Sequence, residues 1–213
     1  MHAGLRYCPR RRMFNLHSII DFITDFGDQA VILPLAAAIA LIFLVSGWRR
    51  GALAWTVAVG ATLGLMLVLK LAFLACGHLI PAAGIVSPSG HTAAAAVVYG
   101  GLAGIVMRSV TSNRYWLIAC TLAVAVLCAI VFGASRLSLG VHSPAEVLAG
   151  GMIGVGGAVS STAFAGVPSP RVRLWHVLAV GLVILILLHG THLPAEDTIK
   201  SMAFTFWPFS ACR

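Results

Sequence analysis

Charged residues are scarce in this chain. They make up 9% of its 213 residues, whereas 60% are hydrophobic; a soluble domain carries about 25% charged residues. A water-soluble fold cannot bury that much apolar surface, so the composition excludes a soluble enzyme and predicts an integral membrane protein. No segment carries a convincing strand signal, and we therefore expect an all-α fold.

Patterns typical of metal and redox sites are also missing. The five cysteines are scattered without a Cys-x-x-Cys pair, and no acidic cluster is present to hold a cation, so we expect no metal and no cofactor. The net charge is +8, yet aromatic residues do not interleave with the basic ones, and we expect no nucleic-acid partner. The arginines instead form short clusters between apolar runs, which favours a role in topology and contact with membrane lipids.

Long apolar runs are what the chain does contain. A spanning helix needs about 20 apolar residues, which five runs provide, and a sixth run is shorter. Ahead of them, residues 14–28 place apolar residues and aspartates on opposite helix faces, which predicts an interfacial helix. The predicted fold is an all-α polytopic membrane bundle of five to six transmembrane helices plus this N-terminal helix, in one domain over residues 14–192. The predicted spans are 30–47, 52–76, 91–107, 115–134, 145–166 and 174–189.

Arginine placement predicts the orientation. The pairs Arg49 with Arg50, Arg108 with Arg114, and Arg171 with Arg173 occupy alternate loops, which the positive-inside rule assigns to the cytoplasm. The loops 77–90 and 135–144 and the C-terminal tail 193–213 then face outward. We expect a bacterial inner-membrane protein whose functional site faces the periplasm or exterior.

The first residues fit this orientation poorly. Residues 1–13 are basic, although the predicted topology puts them outside. Either they are an exception to the rule or translation begins at Met13, directly before the interfacial helix. We favour the second explanation; the segment also lacks the apolar core of a cleavable signal peptide.

The charged residues within the apolar region are functional candidates. A charge against hydrocarbon costs roughly 2.5–3.5 kcal/mol on insertion scales. Two histidines, His91 and His142, lie in the same region. Combined with a lysine, an arginine and a carboxylate, they suit a single task, which is to hold a phosphate and attack it. Between residues 51 and 170 the charged side chains are Lys70, Arg108, Arg114, Arg136 and Glu146.

Two predicted helix starts on the outer side combine with these residues. Ser89 is a suitable N-cap and Gly90 permits close backbone approach to a ligand. Ser143 followed by Pro144 begins the fifth predicted span in the same way. Free N–H groups at helix amino termini favour an anion, and the helix dipoles keep a nearby histidine neutral. We therefore predict one joint anion site.

Residues 88–91 and residues 135–146 resemble motifs of the type 2 phosphatidic acid phosphatase family, relatives of vanadium haloperoxidases and glucose-6-phosphatase. One family motif, Pro-Ser-Gly-His, is complete at residues 88–91. Another, Ser-Arg-x5-His-x3-Asp, is matched by Ser135, Arg136 and His142, with Glu146 where aspartate is usual. Two motifs in the expected order make the resemblance specific.

The family's first motif, Lys-x6-Arg-Pro, is degraded in this chain. Lys70 is present, but Gly77 and His78 stand where Arg-Pro is usual. One phosphate-binding guanidinium is therefore missing, and neutral imidazole at His78 is a poorer bidentate anion ligand. The resemblance covers residues 14–166.

The resemblance implies a role for each matched residue. His142 would attack phosphorus and become a phosphohistidine, with Glu146 accepting its other ring N–H. His91 would protonate the leaving oxygen and then activate water. The implied phosphate-binding residues are Lys70, Ser89, Gly90, Ser135 and Arg136, with His78 as a weaker candidate.

Structural interpretations compete with some of these roles. Ser143 to Glu146 also spells a capping box, in which the glutamate returns to the Ser143 N–H. Lys70 could extend its amine to the membrane surface, and His78 is first of all a loop histidine. We expect a run of glycines to permit close helix packing rather than to bind a nucleotide; it comprises Gly150, Gly151, Gly154, Gly156 and Gly157.

The leading functional hypothesis is a metal-independent membrane phosphatase that hydrolyses a lipid phosphate at the outer leaflet. Candidate substrates are phosphatidic acid, phosphatidylglycerol phosphate, a lipid A phosphate and undecaprenyl pyrophosphate. A lipid phosphotransferase is a close variant. A catalytically degenerate phospholipid-binding protein is the alternative from another class, and a transporter ranks last because no inverted repeat is evident. The sequence does not indicate an oligomeric state.

Overall fold

The computed structural model describes residues 16–76, 87–194, 198, 199 and 201. These residues are mostly α-helical and include no strand, which confirms the predicted fold class. Five helices are long and apolar enough to cross a membrane, and the last helix is apolar but shorter. The helices are α1 (Leu16–Asp25), α2 (Gln29–Val45), α3 (Arg49–Cys76), α4 (Gly90–Val110), α5 (Arg114–Ser138), α6 (Pro144–Phe164) and α7 (Leu174–Leu188).

The helix bounds follow the predicted spans, with one difference that affects the site. Helix α5 continues to Ser138, so Ser135 and Arg136 lie on its last turn and not in a loop as predicted. The helix ends where Gly140 adopts a left-handed conformation, with φ of 67°. There the backbone N–H of Val141 donates to the Arg136 carbonyl over 3.2 Å.

The N-terminal helix and the first long helix are separate elements. Helix α1 ends at Asp25, and Asp28 is the N-cap of α2, its carboxylate accepting from the Ala30 N–H. Helix α1 keeps its apolar and acidic faces, as predicted for residues 14–28. The predictions for residues 1–13 and for His78 lie outside the described residues, and the extent of the domain stays a prediction.

Helix α4 is the centre of the bundle. Its first half is lined with alanines, and Ala93 to Ala96 are completely buried. Small side chains allow α5 and α6 to pack directly against it. The apolar core continues between α2, α3 and α4, where Trp55 is buried and its indole N–H donates to the Ala36 carbonyl. The N-terminus of α4 is therefore held on several sides.

The arginine-bearing turns meet at one end of the bundle, which we call the basic end. The Arg50 guanidinium donates to the Phe164 carbonyl over 3.0 Å, and that of Arg108 donates to the Thr162 carbonyl. These bonds satisfy carbonyls in the last turn of α6 that lack a helical partner. They also place the α2–α3 turn and the end of α4 beside the end of α6.

The carboxylates of the described residues lie at the opposite end. Asp21, Asp25 and Asp28 line a cavity there, and Glu146 stands in the first turn of α6. The carboxylates are therefore at the end opposite the arginine-bearing turns, where Lys70 and Arg136 also line the cavity. Which end faces the cytoplasm stays a prediction.

Glycines on α6 allow the closest helix contacts. A methyl group at Gly150 would overlap the Ser89 carbonyl, and one at Gly154 would overlap the Ala93 backbone. Gly157 likewise faces α3 and α4 across contacts that leave no room for a side chain. The packing prediction is confirmed for these glycines and wrong for Gly156, which faces open space.

Gly150→Ala should destabilise the protein, because the added methyl pushes the Ser89 backbone away from α6. Overpacking of this kind costs about 1–3 kcal/mol, measurable as a lower melting temperature in detergent. The matched control is Gly156→Ala, which adds the same methyl to the same helix without a clash. Equal melting temperatures for the two variants would contradict this role for Gly150.

Candidate active site

The start of α4 is docked onto the start of α6. Ser89 occupies the N-cap position of α4, and its backbone N–H donates to the Glu146 carbonyl over 3.0 Å. Its hydroxyl contacts the Thr92 hydroxyl at 2.9 Å and makes no capping bond, in contrast to the predicted cap. The first-turn N–H groups of α4 therefore have no competitor from this hydroxyl and can face an anion.

Glu146 connects the two predicted motifs. Its Oε1 accepts the Ser87 N–H over 2.6 Å. Its Oε2 accepts the Ser143 N–H over 2.9 Å and lies 3.1 Å from the His142 Nδ1. The His142 and Glu146 side chains are only 4% and 7% exposed. One buried carboxylate thus touches the histidine and the segment leading into α4.

The two interpretations of Glu146 are geometrically compatible. The capping box is complete, because the Ser143 hydroxyl also accepts the Glu146 N–H. The same carboxylate contacts His142, which assigns the proton to Nδ1 and the ring lone pair to Nε2. Helix capping and histidine orientation therefore do not exclude each other.

A cavity of about 980 Å³ opens beside these elements. Lys70, Gly90, His91 and Arg136 line it together. Lys70 is 7% exposed, and its Nζ lies 3.8 Å from the position that a Cβ of Gly90 would occupy. This burial disfavours the interpretation that Lys70 extends to the membrane surface. Two cations and the start of α4 thus share one cavity.

Four further predicted site residues are not among those that line the cavity: Ser89, Ser135, His142 and Glu146. The Ser135 hydroxyl donates to the Phe132 carbonyl one turn earlier, and the Ser89 hydroxyl contacts Thr92. His142 is held against Glu146, which in turn contacts the segment entering α4. Four of the predicted residues therefore line the cavity, and the other four pack beside its lining elements without lining it. Their chemical roles stay predictions.

Comparison with known proteins bears on this arrangement. Residues 52–167, more than half of the chain, match the PAP2 superfamily. The chain belongs to the PAP2 superfamily. This membership confirms the resemblance and supports a phosphatase-type activity, and the long apolar helices fit a multi-pass membrane protein.

A bacterial relative matches over most of its length. It is described as an uncharacterized 22.5 kDa protein in the cps region of Klebsiella pneumoniae and is 29% identical over 196 residues. The alignment covers 88% of this chain and 91% of the relative. No solved structure matches the chain.

The structure adds cavity residues that our sequence interpretation missed. Asp28 lies 3.6 Å from the His91 Nε2, and His192 contacts both Asp28 and Asp25. Asp25, Asp28 and His192 all line the cavity and lie outside the stretch that matches the PAP2 superfamily. An aspartate before an apolar run does indicate a helix cap, but nothing local in the sequence pairs Asp28 with a histidine of another helix.

Proposed function

We propose that this PAP2 protein is a metal-independent lipid phosphatase that works through a phosphohistidine at the outer leaflet. The observation that carries the proposal is the contact of buried Glu146 with His142 and with the segment entering α4. That contact sits beside a cavity whose lining includes His91, Lys70 and Arg136. A nucleophile, a proton donor and two cations are the parts that phosphoryl transfer requires.

The cations bind and polarise the phosphate. Lys70 and Arg136 reach the cavity from α3 and α5, and Gly90 offers backbone at the start of α4. The helix dipole adds positive potential at the same place. These groups neutralise the equatorial oxygens as charge develops, which is the largest expected contribution to the rate.

The chemistry then proceeds in two displacements. The Nε2 lone pair of His142 attacks phosphorus in line, forming an N–P bond while the bond to the leaving oxygen breaks. Glu146 stabilises the positive charge on the ring, and His91 gives its proton to the leaving oxygen. His91 then takes a proton from water, whose oxygen attacks phosphorus, and the broken N–P bond returns its electrons to His142.

The cavity walls favour an amphiphilic substrate. Apolar side chains of α2 and α3 also line the cavity, among them Leu33, Leu63 and Leu67. The side chains of Leu33 and Leu67 are 45% and 39% exposed. An aliphatic chain on this surface keeps its contacts with hydrocarbon while the phosphate enters the polar part of the cavity.

The proposal predicts phosphate release by the purified protein in liposomes. We expect turnover of phosphatidic acid or a prenyl diphosphate with an excess of EDTA, and much slower turnover of glycerol 3-phosphate, which has the phosphate without the chains. Binding of these lipids without release would support the degenerate lipid-binding alternative. Activity that EDTA abolishes and Mg²⁺ restores would contradict a metal-independent reaction.

A further inference from the structure

Asp28 divides its carboxylate between backbone and imidazole partners. Oδ1 accepts the N–H of Ala30 over 2.8 Å and that of Leu193 over 3.3 Å. Oδ2 lies 3.6 Å from the His91 Nε2 and 3.6 Å from the His192 Nδ1. The backbone bonds fix the carboxylate, so that its second oxygen points between two histidines.

The two histidines are not equivalent. The His91 side chain is 16% exposed, whereas that of His192 is 64% exposed. The Asp28 side chain is 9% exposed. Burial strengthens an ion pair because less water screens it. The contact with His91 is therefore the stronger of the two, and it lies in the proposed site.

We propose that Asp28 is a positioning residue for His91. This inference depends on the proposed function, in which His91 carries a proton to the leaving oxygen. The Asp28 carboxylate faces Nε2 across 3.6 Å and stabilises the imidazolium, which leaves Nδ1 to exchange a proton with the leaving oxygen and later with water. Each proposed catalytic imidazole then has its own carboxylate, Glu146 for His142 and Asp28 for His91.

Other charged groups share this environment. Asp21 and Asp25 come from α1, Lys70 from α3 and Arg136 from α5, and all line the same cavity. His192 is the remaining titratable group at Asp28. Asp28 is distinguished from the other aspartates by its contact with His91, so a variant of Asp25 changes the cavity charge equally without touching His91.

The test compares substrates with different leaving groups. An alkyl phosphate lipid needs a proton on its leaving oxygen, whereas an aryl analogue such as a p-nitrophenyl phosphate bearing an alkyl chain needs little help. Asp28→Asn and Asp28→Ser remove the carboxylate and keep a residue that caps α2 well. We expect kcat to fall about 10- to 100-fold on the alkyl substrate and less than about threefold on the aryl substrate, with KM little changed.

Controls separate this effect from misfolding. Asp25→Asn and His192→Gln should leave the ratio of the two rates as in the unaltered protein. In a His91→Gln background, Asp28→Asn should cause no further loss, because the two residues act through one proton transfer.

Two outcomes are distinguishable. If the unaltered protein hydrolyses both substrates but the Asp28 variants lose both activities equally, or lose neither, the inference is wrong and the proposed function stands. If the unaltered protein hydrolyses neither substrate, the proposed function itself fails.

Discussion

Phosphate release should fall at least about 10⁴-fold when His142 is replaced by alanine, as expected for the loss of a nucleophile. The contact with Glu146 holds the His142 imidazole in a fixed orientation, and water at that position lacks this geometry. The measurement is phosphate release in liposomes, together with acid-labile ³²P label on protein quenched during turnover. The label should be absent from His142→Ala.

A histidine at the other end of the bundle provides the control. His176 lies exposed near the start of α7, and His176→Ala should keep both activity and label. Covalent label that persists in His142→Ala would exclude His142 as the nucleophile. Activity that persists in the same variant would reject the phosphohistidine mechanism.

Glu146→Ala should reduce both stability and activity. It removes the acceptor for the Ser87 and Ser143 N–H groups and the partner of His142. Buried donors left without acceptors cost about 1–3 kcal/mol each, so we expect unfolding to become easier by about 2–5 kcal/mol. Phosphate release should fall about 10²- to 10⁴-fold. The measurements are thermal unfolding in detergent and phosphate release.

Two further variants separate the functions of Glu146. Glu146→Gln keeps the length, but its amide N–H₂ must face an N–H donor, so we expect a loss close to that of alanine. Glu146→Asp restores the residue usual in the family and is one methylene shorter. It should keep the His142 contact and more activity than alanine, but lose the Ser87 bond and therefore stability. An alanine variant as stable and active as the unaltered protein would contradict both roles.

The parts of this protein that the sequence predicts are those with a local pattern. Apolar length predicts the helices, and Pro-Ser-Gly-His at residues 88–91 marks a helix start. The resemblance of residues 135–146 to a family motif implies that Glu146 accepts from His142, and the two side chains do lie 3.1 Å apart. Glycines in an apolar run predict close packing, although only the structure tells which of them face a neighbour, since Gly156 does not.

Contacts between distant elements have no such pattern. The pairing of Asp28 with His91 depends on how α2 packs beside α4, and His192 reaches the cavity only because α7 ends there. The sequence also predicts Arg136 in a loop, whereas it lies on the last turn of α5. Helix propensity alone does not specify where that helix stops. Gly140 ends the helix with its positive φ, but its effect on the preceding turn requires backbone geometry.

The uneven distribution of charge along the bundle has an energetic consequence for insertion. Across a membrane with a potential of about 100 mV, negative inside, each positive elementary charge is more stable on the inner side by about 2.3 kcal/mol. Arg49, Arg50, Arg108 and Arg114 are all at the basic end, so an inverted bundle would hold each of them against the electric field. If the basic end faces the cytoplasm, as the arginine pattern predicts, the membrane potential therefore adds to the preference for that orientation.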